Sequence, residues 1–166
     1  MTQAMAYEDA VDLLDADHKA VKALFIKFHA LCEDDAPAGE KQQVAQKICK
    51  ALTVHAQIEE EIFYPRVREA IGDDGLMDEA LQGHAQAKQA IAEIQGMSAG
   101  DKGYDDKVKK LGKVIDEHVL EEREQIFLQA RYAALDLRGM TPELAARKKQ
   151  LTGARPAAPA KKRVAA

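Results

Sequence analysis

A chain of 166 residues can form one domain with its own core, and its 46% apolar but only 5% aromatic composition, without Trp, favours helices over a β-sandwich or barrel. The net charge of −4 hides an asymmetry: seven of the 24 basic residues follow Glu143, where no acidic residue occurs, and the other 17 against 28 acidic ones leave −11 for the rest. Such a body excludes a nucleic-acid backbone as partner for anything but the tail, two cysteines exclude a disulfide framework, and no apolar run nears the ~20 residues of a membrane span.

The first helix is expected from about Tyr7 to Asp34, with a seam of Val11, Leu14, His18, Val21, Phe25, Phe28 and Cys32 at alternating three- and four-residue steps. Asp35-Ala-Pro-Ala-Gly39 breaks it. A second helix, about Glu40 to Ala70, carries Val44, Ile48, Ala51, His55, Ile58, Glu59 and Ile62, and Pro65 should kink it or close its regular part. After the turn Gly72-Asp-Asp-Gly75, a third helix from about Leu76 to Met97 has Met77, Leu81, His84, Ala87, Ile91 and Ile94 on its seam. The fourth, about Tyr104 to Asp136, shows Val108, Leu111, Ile115, His118, Glu122 and Ile126. Thr141-Pro142-Glu143 reads as an N-cap with Pro at the first helical position, opening a short basic helix to about Leu151, and Gly153 to Ala166 reads as a disordered Ala/Pro/Lys tail. Four long helices with short connections predict an all-α, up-down-up-down four-helix bundle over residues 1–138, with residues 139–166 as the basic helix and tail.

Two stretches repeat. His55-x-x-x-Glu59 with Glu61, Phe63 and Tyr64 matches His118-x-x-x-Glu122 with Glu124, Ile126 and Phe127. A His and a Glu four apart leave one helix face together and can meet one object. The halves repeat as well: His18 precedes His55 by 37 residues, His84 precedes His118 by 34, and Lys22 and Lys88 each follow the first histidine by four. One hairpin used twice brings four histidines to a similar depth. A lone seam histidine is commonly a hydrogen-bonded core residue, and a bundle with unmetallated histidines stays an alternative. Buried Glu59 and Glu122 argue against it, because an unpaired buried carboxylate costs several kcal/mol. Imidazole and carboxylate without thiolate fit iron, manganese or zinc. Two carboxylates from opposite hairpins can bridge two ions, each with two histidines, a solvent-derived oxo or hydroxo bridge and an open position. Val21, Phe25, Ile58, Ile62 and Ile91 supply an apolar lining suited to a small neutral ligand.

The residues Asp17-His18, His55-x-x-x-Glu59 with Phe63-Tyr64-Pro65, His84, and His118-x-x-x-Glu122 resemble the hemerythrin-like HHE cation-binding domain over about residues 8 to 136. Ferritin-like bundles instead place Glu before His at i, i+3. The resemblance implies a non-haem diiron site, iron ahead of manganese or zinc, whose ligands are His18, His55, Glu59, His84, His118 and Glu122, the two Glu as bridges. It implies reversible dioxygen binding, or sensing of oxygen, iron or nitric oxide. Oxygen carriers of the family have a further histidine four residues after the one matching His84; here Lys88 stands there. A four-histidine site makes turnover of peroxide or nitric oxide, or ferroxidase chemistry, the alternative to binding and sensing. Lys88 is expected to hold water or an anion over the open position, or to snorkel to solvent.

Other residues carry quieter expectations. His29 lies roughly 16 Å along the axis from His18, too far for the same centre. Cys32 and Cys49 fall at unequal heights, beyond disulfide reach. Tyr64, nine residues past His55, should fall about 180° round a regular helix from it, and Glu60, Glu61, Glu121 and Glu124 should form a solvated face. The stretch Met1 to Asp9 has no basic segment leading into an apolar one, so a reducing, cytoplasmic location is expected, with no nucleic-acid or membrane partner.

Overall fold

The computed structural model describes residues 7–153, in which every regular element is helical. Asp9 caps α1 (Ala10–Glu33) by accepting the Asp12 N–H, and the helix ends at a turn where Asp35 takes φ +51°. The second rod is α2 (Ala38–Ile58), a π-helical turn (Glu59–Phe63) and α3 (Tyr64–Ile71). Gly72 closes it in the left-handed conformation at φ +66°, where a glycine carries no Cβ penalty. Asp73 then caps α4 (Asp74–Gln95) through the Leu76 N–H. The last rod is α5 (Tyr104–Glu121), a second π-helical turn (Glu122–Phe127) and α6 (Leu128–Tyr132).

The rods pack in sequence as the bundle expected from the pattern, α1 on α2 and α4 on α5, closed by contacts of α1 with α5 and α2 with α4. The interior is two apolar clusters. One holds Leu14, Ile58, Phe63, Met77 and Phe127; the other holds Phe25, Phe28, Ile48, Ile91 and Leu111. Between them lies a polar layer of one histidine from each rod and two glutamates, all buried except the partly exposed His118.

Some local expectations change. The last helix, α7 (Leu137–Gly153), starts four residues before Thr141, because Asp136 caps it by accepting the Gly139 N–H at 2.9 Å. Thr141 is therefore inside the helix, its hydroxyl donating back to the Leu137 carbonyl, and Pro142 is an interior proline rather than the first residue. This helix lies against α1 and α2, burying Met140 and Leu144 in the first cluster. The rods bearing His55 and His118 each widen to π geometry at the glutamate, and since only the first has a proline, Pro65 is not the shared cause. Leu81 is half-exposed at 37%; Leu76, Met77 and Ala80 bury that end of α4 instead. Cys32 and Cys49 are free thiols, as expected, and His29 is exposed. The disordered stretch expected after Gly153 lies outside the described residues.

Candidate metal centre

All six side chains singled out in the sequence meet in the polar layer. His18, His55, Glu59 and Glu122 form one group and Glu59, His84, His118 and Glu122 another, the ligand-type atoms of each lying within 4.8 Å of one another. The two glutamates are shared, and neither has any exposed surface. His55 Nε2 is 3.2 Å from Glu59, one turn along its own rod, and His18 Nε2 is 3.0 Å from Glu122 across the bundle. The halves mirror each other in their aromatic contacts too. The His18 and His55 rings are 4.8 Å apart and those of His84 and His118 4.9 Å, while Tyr64 stacks on His84 and Phe127 on His18.

On three of the four histidines the outward-facing ring nitrogen is tied down by a carboxylate, and each of those carboxylates is held by a cation. His18 Nδ1 is 3.1 Å from Asp15, which accepts from Arg123 at 2.6 Å. His55 Nδ1 is 2.9 Å from Asp17, whose other oxygen accepts from Lys148 of α7. His84 Nδ1 is 2.7 Å from Glu60, whose other oxygen accepts from Lys88 at 2.7 Å. Carboxylates so placed fix the tautomer and orientation of a histidine ligand and raise its basicity. Glu60 is thus no part of a solvated face, and the half-exposed Lys88 turns to it. Glu61 pairs with Arg147, a partner that became visible only with the docking of α7.

Tyr64 is the residue that periodicity misplaced. Its phenol oxygen donates to Glu122, lies 3.4 Å from Glu59, and is 3.2 and 3.4 Å from Nε2 of His84 and His118. The cause is the π turn: the Tyr64 N–H bonds the Glu59 carbonyl, so the side chain five residues on stands one turn above Glu59. Nothing but the proline after Tyr64 hinted at an irregular rod.

Charge in the layer is divided unevenly. Burial raises the Glu59 carboxyl, but His55 and His84 outweigh it and hold it well below the usual range. Glu122, buried and facing the Glu59 charge, is pushed up to about 7. Burial works against a proton on His55 and on His84, yet Glu59 with Asp17 or Glu60 raises both. Burial and the neighbouring imidazoles depress His118 to about 4. Burial and both glutamates raise the Tyr64 hydroxyl, which stays protonated as a donor.

The donor set fits a cation by a direct criterion. His18 Nε2, His55 Nε2, Glu59 Oε2 and Glu122 Oε1, one atom from each member of the first group, are buried without a well-aligned hydrogen bond, although His18 Nε2 lies 3.0 Å from Glu122 Oε1. Such orphans cost about 1–3 kcal/mol each unless something binds them, and four converging ones define a coordination position. Beside it lies an almost wholly apolar cavity of about 30 Å³ bordered by all four histidines together with Leu52, Ala87 and Ile91. Of the lining expected from sequence, Ile91 is there; Val21 and Phe25 line a separate groove between α1 and α5 instead.

Known proteins resemble this chain in sequence and in fold. The chain is 31% identical over 120 residues to a DNA nickase of Nostoc sp., a match covering 72% of this chain but only 33% of that protein, so this chain spans about a third of its length. The fold superposes with a TM-score of 0.73 on the crystal structure of a hemerythrin HHE cation binding domain-containing protein from Mycobacterium kansasii, at 22% identity over 87% of this chain and 88% of that one. Residues 9–130, which carry all six converging side chains, match the family model of the hemerythrin HHE cation binding domain, and the chain belongs to that family.

Proposed function

We propose that the layer holds two iron ions, one per group, with Glu59 and Glu122 shared, and that the protein uses them to bind or sense a small molecule such as dioxygen, nitric oxide or a peroxide. The single observation that carries this reading is the cavity of about 30 Å³ against the four histidines. A space of that size takes a molecule of a few heavy atoms. Its apolar walls favour a neutral diatomic over an anion. Bound iron supplies reversible redox chemistry and open coordination positions. The chain's residues orient the donors through Asp15, Asp17 and Glu60, exclude water with Leu52 and Ile91, and hold a proton on Tyr64.

That phenol supports a second reading, turnover of peroxide or nitric oxide or oxidation of ferrous iron, since cleaving an oxygen–oxygen bond needs a proton donor within hydrogen-bond reach of the centre. The nickase's name describes a protein mostly outside the match, and the acidic bundle argues against a DNA role here. Two unpaired thiols suit a reducing, cytoplasmic setting.

Metal analysis and the visible spectrum of anaerobically purified protein test the proposal. Two irons per chain, with charge-transfer absorption after oxidation, are expected; one zinc, or no metal after anaerobic iron loading, would overturn it. Rapid mixing of the reduced protein with dioxygen separates the readings, a long-lived oxygenated species favouring binding and immediate oxidation with turnover favouring catalysis.

A further inference from the structure

Resting on the reading of two ions, we infer that the two positions are unequal: the one between His18 and His55 is tight, and the one between His84 and His118 is weak and exchangeable. The first ground is a missing partner. Three histidines have a carboxylate on Nδ1, itself held by Arg123, Lys148 or Lys88. Among the described residues His118 Nδ1 has none. The repeat explains why. His84 takes the place of His18, so Gly83 stands where Asp17 stands in the first half. Asp17 serves His55; Gly83 has no side chain to serve His118, and α4 approaches so closely that a Cβ on Gly83 would sit 2.8 Å from His118 Nδ1.

The His118 ring instead borders a polar cleft of about 330 Å³ lined by Gly83, Glu79, Glu117 and Glu121. A carboxylate behind a histidine ligand typically changes metal affinity by about 10–100-fold. The cleft also gives this position what the other lacks, an acidic route along which a cation can come and go.

The second ground is independent. The Tyr64 phenol oxygen lies between the Nε2 atoms of His84 and His118, so an ion on that side must first move it, whereas the His18 and His55 Nε2 atoms face the Glu122 and Glu59 carboxylates, at 3.0 and 3.2 Å, which would share the same ion.

The test is an anaerobic titration of chelator-treated protein with Co(II) near pH 7, followed by visible absorption and calorimetry. Two steps are expected, the second at least 10-fold weaker, and crystals grown with one equivalent should show the anomalous peak between His18 and His55. His118→Ala should remove the weak step and keep the tight one, and Asp17→Ala should weaken the tight step by about 10–100-fold. Equal or all-at-once filling overturns the inference, as does a first ion on the His84 side, in the unsubstituted protein and without recourse to variants. If Co(II) and Fe(II) both fail to bind, the failure is that of the two-ion reading itself.

Discussion

The Tyr64 N–H bonds the Glu59 carbonyl five residues back, and that one widened turn stands the phenol over the carboxylate. In the other half Phe127 takes the corresponding place and has no hydroxyl, so the duplicated site carries a single proton donor of this kind. Tyr64→Phe keeps the ring on His84 and removes only the oxygen. In chelator-treated protein it leaves Glu122 without its donor, at a cost of about 1–3 kcal/mol, which thermal unfolding should register as a Tm lower by a few degrees. With metal in excess the content should not change, although the His84 side should fill more readily once the oxygen is gone. If the centre turns over peroxide, the rate should fall on the order of 100-fold, the low end of general-acid contributions; an unchanged rate would remove Tyr64 from the chemistry.

The metal-free protein should be most stable on a plateau between about pH 4.5 and 6.5, where a falling Glu122 contribution and a rising His118 one offset each other. Glu122 is raised from 4.5 to about 7, so the stability it contributes is full below pH 4.5 and is lost as the pH climbs through 7. His55 and His84 are also raised, and their contributions likewise drain away on the alkaline side. His118, lowered to about 4, works in the opposite sense: its contribution is present above 6.5 and is lost as the pH falls toward 4, where Glu59 and Asp17 follow. Chemical unfolding of chelator-treated protein from pH 4 to 9 should trace both flanks. Metal should flatten the alkaline flank and release protons into a weakly buffered solution, because it takes the places the protons held. A profile level from pH 7 to 9 would contradict this assignment of charge.

The histidines and shared glutamates were legible because they combine two simple signals: a seam period of 3.6 residues, and a duplicated His-to-Glu spacing that puts both side chains on one face. Tyr64 was not, since the same periodicity assumes a uniform turn and the rod widens at Glu59. Glu60 sits one residue from Glu59 on a helix edge, and only the packing of α4 against that edge shows that it serves His84. The start of α7 was misjudged because Thr141-Pro142 is a stronger local signal than Asp136, which caps the helix from five residues earlier. Contacts between distant segments, such as Lys148 with Asp17, have no local signature at all.

Helix α7 should behave as part of the bundle rather than as an appendage. Leu144 is fully buried in the cluster beneath the polar layer, so Leu144→Ala should cost about 2–5 kcal/mol. Lys148→Ala should act differently, since the half-exposed ammonium adds little to stability by itself but fixes the carboxylate that orients His55. The expected pair of results is a lower Tm with metal affinity preserved for Leu144→Ala, and a near-normal Tm with weakened metal binding, restored by Lys148→Arg, for the second. Equal effects of both on stability and metal would show that α7 merely supports the fold.

The two glutamates, alike by sequence, should part company on substitution. Glu59 is ionised between His55 and His84, so Glu59→Gln removes the anion from two buried imidazoles and should destabilise the metal-free protein by about 3–5 kcal/mol. Glu122 already holds its proton much of the time near neutral pH, and a neutral amide of the same shape replaces it with little loss, or with a gain above pH 7 where the carboxyl would otherwise ionise beside Glu59. In the presence of metal the difference should vanish: both substitutions withdraw a shared ligand, and both should lower bound metal and the stabilisation that metal confers. Unfolding each variant with and without Fe(II), and measuring metal content alongside, checks all four expectations. Variants that unfold and load like the parent would return the layer to a purely structural set of buried polar residues.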